Sequence, residues 1–167
     1  MKKRLTALLL LATLAIAPAA QAAEAADWEY MPIVEREAER WNLAPSLVWA
    51  VCMAVSSLDV RADSGSSKGL MQLNVNTYPT LAQDLQISDF DPFDAEHNIM
   101  AGTYKLALER DYWYAQGYSD EDTFAAMLIS YNRGRAGAKK YMNAHGLDAD
   151  YVDKVLEYKC QLEQGLI

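Results

Sequence analysis

The stretch from Leu47 to Leu73, LVWAVCMAVSSLDVRADSGSSKGLMQL, limits what this chain can fold into more than any other. It opens with nine consecutive apolar residues, Leu47 to Val55, with Pro45 before them and Ser56-Ser57 after. The run is too short to span a bilayer, which takes about 20 residues. A helix that is apolar on every side has no face to give to water, so it belongs in the middle of a domain with other elements packed around it. Pro45 suits a first helical turn, where its missing N–H leaves nothing unpaired. Beyond Ser57 the chain turns polar through Asp59, Arg61, Asp63, Ser64, Ser66 and Ser67, then closes on Gly69-Leu70-Met71-Gln72-Leu73.

The rest of the chain supplies helices to cover that segment. Tyr30, Ile33, Val34, Ala38 and Trp41 recur at helical spacing, with charged residues between them and Pro32 in the first turn. Asp91-Pro92 reads as a helix start, with Asp as N-cap and Pro at the first helical position. Gly102 within that helix points to close packing on a neighbour, because Gly inside a helix otherwise costs stability. Ser119 is placed to cap a helix carrying Phe124, Met127, Leu128 and Tyr131. Gly146 and Asp148 mark a turn and a new cap before a last helix with Tyr151, Val152, Val155, Leu156 and Leu162. No segment alternates as a strand does. The expectation is an all-α domain of about six to eight helices.

Met1–Ala22 has the layout of a secretory signal: Lys2, Lys3 and Arg4, an apolar run from Leu5 to Ala17, then Ala20-Gln21-Ala22 as a cleavage site. The expected organisation is a signal peptide over 1–22 and one domain over 23–167, exported to the periplasm or secreted. Losing the three basic residues takes the net charge from −8 to −11. Lys and Arg cluster only at Arg133, Arg135, Lys139 and Lys140, so no basic face exists to neutralise nucleic-acid phosphates. Cys52 and Cys160 permit one disulfide after export, or two free thiols. His97 and His145 have no Cys or His at ligand spacing, so neither a metal site nor another cofactor is expected.

The order of these features resembles one family, the soluble lytic transglycosylases, relatives of goose-type lysozyme that cleave peptidoglycan. The resemblance runs from about Tyr30 to Tyr158. It rests on the buried helix, Ser56-Ser57, the polar loop with Ser64, and Gly69-Leu70-Met71-Gln72. It continues in Asn98-Ile99, Gly102 and Tyr104-Lys105-Leu106, and in Tyr131-Asn132-Arg133-Gly134. The loop before Gly69 is one residue short of the family pattern. The family's catalytic Glu stands just before the first Ser, and here that residue is Val55.

The resemblance implies a lysozyme-like fold with a peptidoglycan glycan strand as partner. An envelope assembly or secretion partner is possible and unidentified. The resemblance also implies a groove in which Gln72, Tyr131, Asn132, Ser56 and Ser57 meet the sugar or hold the loop. A buried carboxyl group of raised pKa protonates a leaving glycosidic oxygen, and Val55 has no proton to give. Asp59 and Asp63 are the nearby substitutes, in a polar loop that favours their ionised forms. Two readings stay open: a glycan-engaging protein with lost or reduced catalysis, or an active lytic transglycosylase that uses a displaced acid such as Asp59 or Asp63 and forms a 1,6-anhydro-muramic product.

Overall fold

The structure is a computed structural model, and it describes residues 28–167. The signal-peptide expectation for 1–22 lies outside those residues. Among the described residues six α-helices follow a short 3-10 turn at Trp28–Tyr30. They are α1 (Met31–Arg40), α2 (Pro45–Ser56), α3 (Tyr78–Asp84), α4 (Ala95–Ala115), α5 (Asp120–His145) and α6 (Asp150–Glu163). None is long and apolar enough to cross a membrane.

The apolar run forms α2 as expected, with Pro45 in its first turn and Leu47 to Cys52 all buried. It packs most extensively on α6 and next on α1, while α4 packs on α5. Val34 and Ala38 of α1, Val48 and Val51 of α2, Ile99 and Leu106 of α4, Met127 and Leu128 of α5, and Val152 and Val155 of α6 form one core. Helix α2 ends where Ser57 and then Leu58 adopt left-handed conformations (φ 53° and 63°), which turns the chain sharply into the polar loop.

That loop holds the one departure from an all-helical reading. Ser67–Lys68 pairs antiparallel with Leu73–Asn74, with Gly69 to Gln72 between them. A two-residue strand made of Ser and Lys carries no alternating pattern. It exists because α4 holds it in place. Asn98, fully buried near the start of α4, accepts from Met71 N (2.7 Å) and donates to Lys68 O (3.0 Å) and Pro92 O (2.7 Å). Gly69 (φ 77°) passes so close that an added Cβ would lie 2.2 Å from Asn98 Nδ2. One turn further along α4, a Cβ on Gly102 would lie 2.2 Å from Met71 Sδ. The close packing expected of Gly102 is therefore present, and its neighbour is the Gly69–Leu73 turn.

Two helix starts differ from the sequence reading. Helix α4 is capped by Asp94, whose side chain accepts from His97 N (2.9 Å). Asp91 instead closes a local turn by accepting from Phe93 N (2.8 Å). Pro92 therefore precedes the helix and does not open it, and its carbonyl accepts from Asn98 Nδ2 (2.7 Å). Helix α6 starts after Ala149, not Asp148, whose carbonyl accepts from Tyr141 Oη (2.8 Å). Ser119 caps α5 as expected, accepting from Asp122 N (3.2 Å). That helix is broken at Gly134 (φ 68°, ψ 159°), within the Tyr131–Gly134 motif.

Both cysteines are free thiols: Cys52 is in the core and Cys160 faces solvent.

Candidate functional site

The α2 C-terminus, the hairpin loop, α4, the break in α5 and the start of α6 converge on a cleft of about 520 Å³. Ala54 and Val55 close it from α2; Ser64, Ser67, Gln72 and Asn74 line it from the loop, with Thr77 beyond. Lys105 enters from α4, Tyr131 to Gly134 from the α5 break, and Tyr151 from the first turn of α6. No Asp or Glu is among these residues.

Val55 therefore faces the cleft, where the helix passes from fully buried to half-buried. Gln72, Tyr131 and Asn132 line it with Val55. Ser56 and Ser57 do not. Ser56 Oγ lies 2.7 Å from Leu70 O and 2.9 Å from Cys52 O, which fastens α2 to the Gly69–Leu73 turn. Ser57 is the left-handed residue that ends α2. Asp59 and Asp63 also lie outside the lining, exposed in the loop. Asp59 accepts from Arg61 N (2.8 Å). Asp63 pairs with Lys68 and accepts from Gly65 N (2.8 Å), and these contacts lower its pKa. A carboxylate held ionised in this way is a poor proton donor.

Gln72 has a positive φ (48°), an unusual conformation for a non-Gly residue. Its side chain explains how the turn is kept: Nε2 donates to Ala62 O (2.9 Å) and Gly69 O (3.1 Å). Both N–H donors are spent on the loop, which leaves Oε1 as the group Gln72 has for a ligand.

Tyr131 is buried, and its hydroxyl donates to Met71 O (2.8 Å). Burial raises its pKa well above the ordinary tyrosine value, with Tyr151 and Cys52 adding to the shift. The Tyr151 hydroxyl is buried and has no hydrogen-bond partner among the described residues; burial raises its pKa too. Burial likewise pushes the Cys52 thiol up to about 12. All three groups are neutral near pH 7.

Lys105 is the partly buried charge of the lining, with Arg133 exposed at the rim. Its Nζ donates to Tyr131 O (2.6 Å) and lies 3.8 Å from the Tyr131 ring centroid. Burial lowers its pKa to about 8, opposed by Glu109. Glu109 is itself paired with Arg135 (2.9 Å), so Lys105 has no carboxylate at ion-pair distance among the described residues. Sequence reasoning singled out neither Lys105 nor Tyr151 for the site. One signal for Lys105 was present: it is the single charged residue between Ala101 and Leu108 in a helix that must be largely buried.

With this geometry established, comparison with known proteins places the chain among similar ones. The family model for the transglycosylase SLT domain matches residues 32–152. The membrane-bound lytic murein transglycosylase C of Yersinia enterocolitica is 30% identical over 112 residues, 64% of this chain and 31% of that protein. The protein of the same name from Actinobacillus pleuropneumoniae is 28% identical over 136 residues, 77% of this chain and 36% of that protein. The chain thus spans about a third of the length of these relatives. An inactive mutant of the lytic transglycosylase Slt from Pseudomonas aeruginosa superposes with a TM-score of 0.69 at 21% identity, over 83% of this chain and 24% of that one. The 70 kDa soluble lytic transglycosylase of Escherichia coli does so with a TM-score of 0.66 at 19% identity, over 83% and 25%. At such identities these two structures speak to the fold, which is all-α and lysozyme-like, as the sequence led one to expect.

Proposed function

Because this chain belongs to the transglycosylase SLT domain family, we propose that it engages the glycan strands of peptidoglycan in the cleft between Gln72 and Tyr131 and does not cleave them. The observation that carries this reading is the charge of the lining: the Lys105 ammonium, the Arg133 guanidinium at the rim, and no carboxyl group. Glycosidic cleavage passes through an oxocarbenium-like transition state, which carries positive charge on the sugar. A carboxyl group serves it twice, as proton donor and then as a negative neighbour. An ammonium in the same cleft raises the energy of that state. Val55 stands where the family resemblance puts the acid, and its side chain supplies neither proton nor charge.

Binding has better support. Gln72 Oε1, Asn74, Asn132 and the serines Ser64 and Ser67 offer the acceptors and donors that sugar hydroxyls and N-acetyl groups use. The relatives' names, membrane-bound lytic murein transglycosylase, favour a cell-wall polymer as ligand and an envelope location. Met1–Ala22 as an export signal fits that location. Catalysis through Asp59 or Asp63 has no geometric support, because both carboxylates are bound within the loop.

The test is co-sedimentation of the purified protein with peptidoglycan sacculi, with soluble muropeptides followed in the same tubes. The protein is expected to pellet with the sacculi and leave the supernatant free of anhydro-products. Failure to pellet removes the binding half of the proposal. Steady product release removes the other half.

A further inference from the structure

The chain is acidic, with a net charge of −8, yet the wall of its cleft carries an ammonium with no carboxylate at ion-pair distance among the described residues. The position of Lys105 is fixed from behind. Tyr131 O takes one of its N–H donors and the Tyr131 ring lies under the charge, which leaves donor capacity for a ligand in the cleft that Lys105 lines. The nearest acid on its own helix, Glu109, is held by Arg135 Nε (2.9 Å) and by its place one turn away. A methionine would fill the same space without removing a charge from water, so packing alone does not account for a lysine here.

A second, independent feature points the same way. Tyr151 lines the same cleft, and its hydroxyl is buried with no acceptor among the described residues. A buried donor left unpaired is destabilising unless a ligand or water accepts from it. Asn132 and Arg133 add exposed donors at the rim. The lining is therefore rich in donors and cationic, the complement of a group that brings two acceptor oxygens and a negative charge.

Resting on the glycan-binding reading above, we infer that the cleft is selective for saccharides bearing a free carboxylate, which pairs with the Lys105 ammonium and accepts from Tyr151. In a peptidoglycan strand that chemistry has two sources. One is the lactyl carboxylate of a muramic residue that carries no peptide. The other is a carboxylate of the stem peptide.

Titration calorimetry with three tetrasaccharides tests this. The first is a neutral N-acetylglucosamine tetramer. The second alternates N-acetylglucosamine with N-acetylmuramic acid and has free lactyl carboxylates. The third is the same strand with its stem peptides attached. At least one acidic ligand is expected to bind about 10-fold more tightly than the neutral one, in line with a charge-assisted pair. The stripped strand will lead if the lactyl group is read, and the peptide-bearing strand if the stem is read. In Lys105→Met the ratio of acidic to neutral affinity should collapse toward one, and Lys105→Arg should restore part of it. If the neutral tetramer binds as tightly as both acidic strands, or if the ratio survives in a folded Lys105→Met, the carboxylate inference is overturned while glycan binding stands. If no tetrasaccharide binds, the glycan reading fails and takes this inference with it.

Discussion

Lys105 is where burial and charge oppose each other in this molecule. Its folded pKa lies near 8 against an ordinary 10.5, so over that interval the unfolded chain holds a proton that the folded chain has released. The sign follows. Stability contributed through this group rises as pH increases from about 8 toward 10.5, and below about 8 the full burden of burying the charge remains. Urea midpoints of the wild type and Lys105→Met, compared between pH 7 and 10, should therefore converge as pH rises. A constant gap would show that Lys105 is not desolvated as described. The same cation governs what a restored acid could do. Val55→Glu puts a carboxyl group into the cleft, and the Lys105 ammonium there favours its ionised form. Little anhydro-product is expected from Val55→Glu alone, with more from Val55→Glu combined with Lys105→Met. Destabilisation by Val55→Glu should reach about 1–3 kcal/mol unless the carboxyl finds Tyr151. Equal product from both variants would argue against a Lys105 effect on the acid.

Between elements, the decisive joint is α4 against the Gly69–Leu73 turn. Asn98→Ala would leave Met71 N, Lys68 O and Pro92 O without their partner. A loss of about 3 kcal/mol is expected in denaturant unfolding, together with loss of glycan binding as Gln72 shifts. Gly102→Ala gains up to about 1 kcal/mol of helix propensity but drives a Cβ into Met71, so it should destabilise on balance. A stabilised Gly102→Ala would mean that Met71 moves aside freely. The packing of Gly102 could be read from sequence because a glycine in a helix asks for a reason. The Ser67–Lys68 strand could not, since its cause is a side chain 30 residues away in Asn98. The cysteines belong to the α2 and α6 pair. Cys52 is in the core with its thiol pushed up to about 12, and Cys160 is exposed. One thiol should react at once with a thiol reagent in the native protein and the second only after denaturation. Two unreactive sulfurs in the denatured, unreduced protein would instead establish a disulfide.

For the whole molecule, α2 organises both the core and the cleft. Its apolar half is enclosed by α1 and α6, and its last turn opens onto the site. That division was legible in the run from Leu47 to Val55, since a helix without a polar face has to be surrounded. The convergence of Val55, Gln72, Tyr131 and Asn132 was implied by the family resemblance, and the four do line one cleft. The electrostatic character of the cleft was not legible. It depends on which charges are left over after Asp63 pairs with Lys68 and Glu109 with Arg135, and only the packed structure shows those pairings. The proposed function requires a cleft that holds glycan and lacks an acid. The direct measurement is the amount of 1,6-anhydro-muramic product released from sacculi by the purified protein, at a concentration where it demonstrably pellets with them. Bound protein and no product above the level without protein are expected from the proposed function. Product accumulating with time, and abolished by Asp59→Asn or Asp63→Asn, would contradict it.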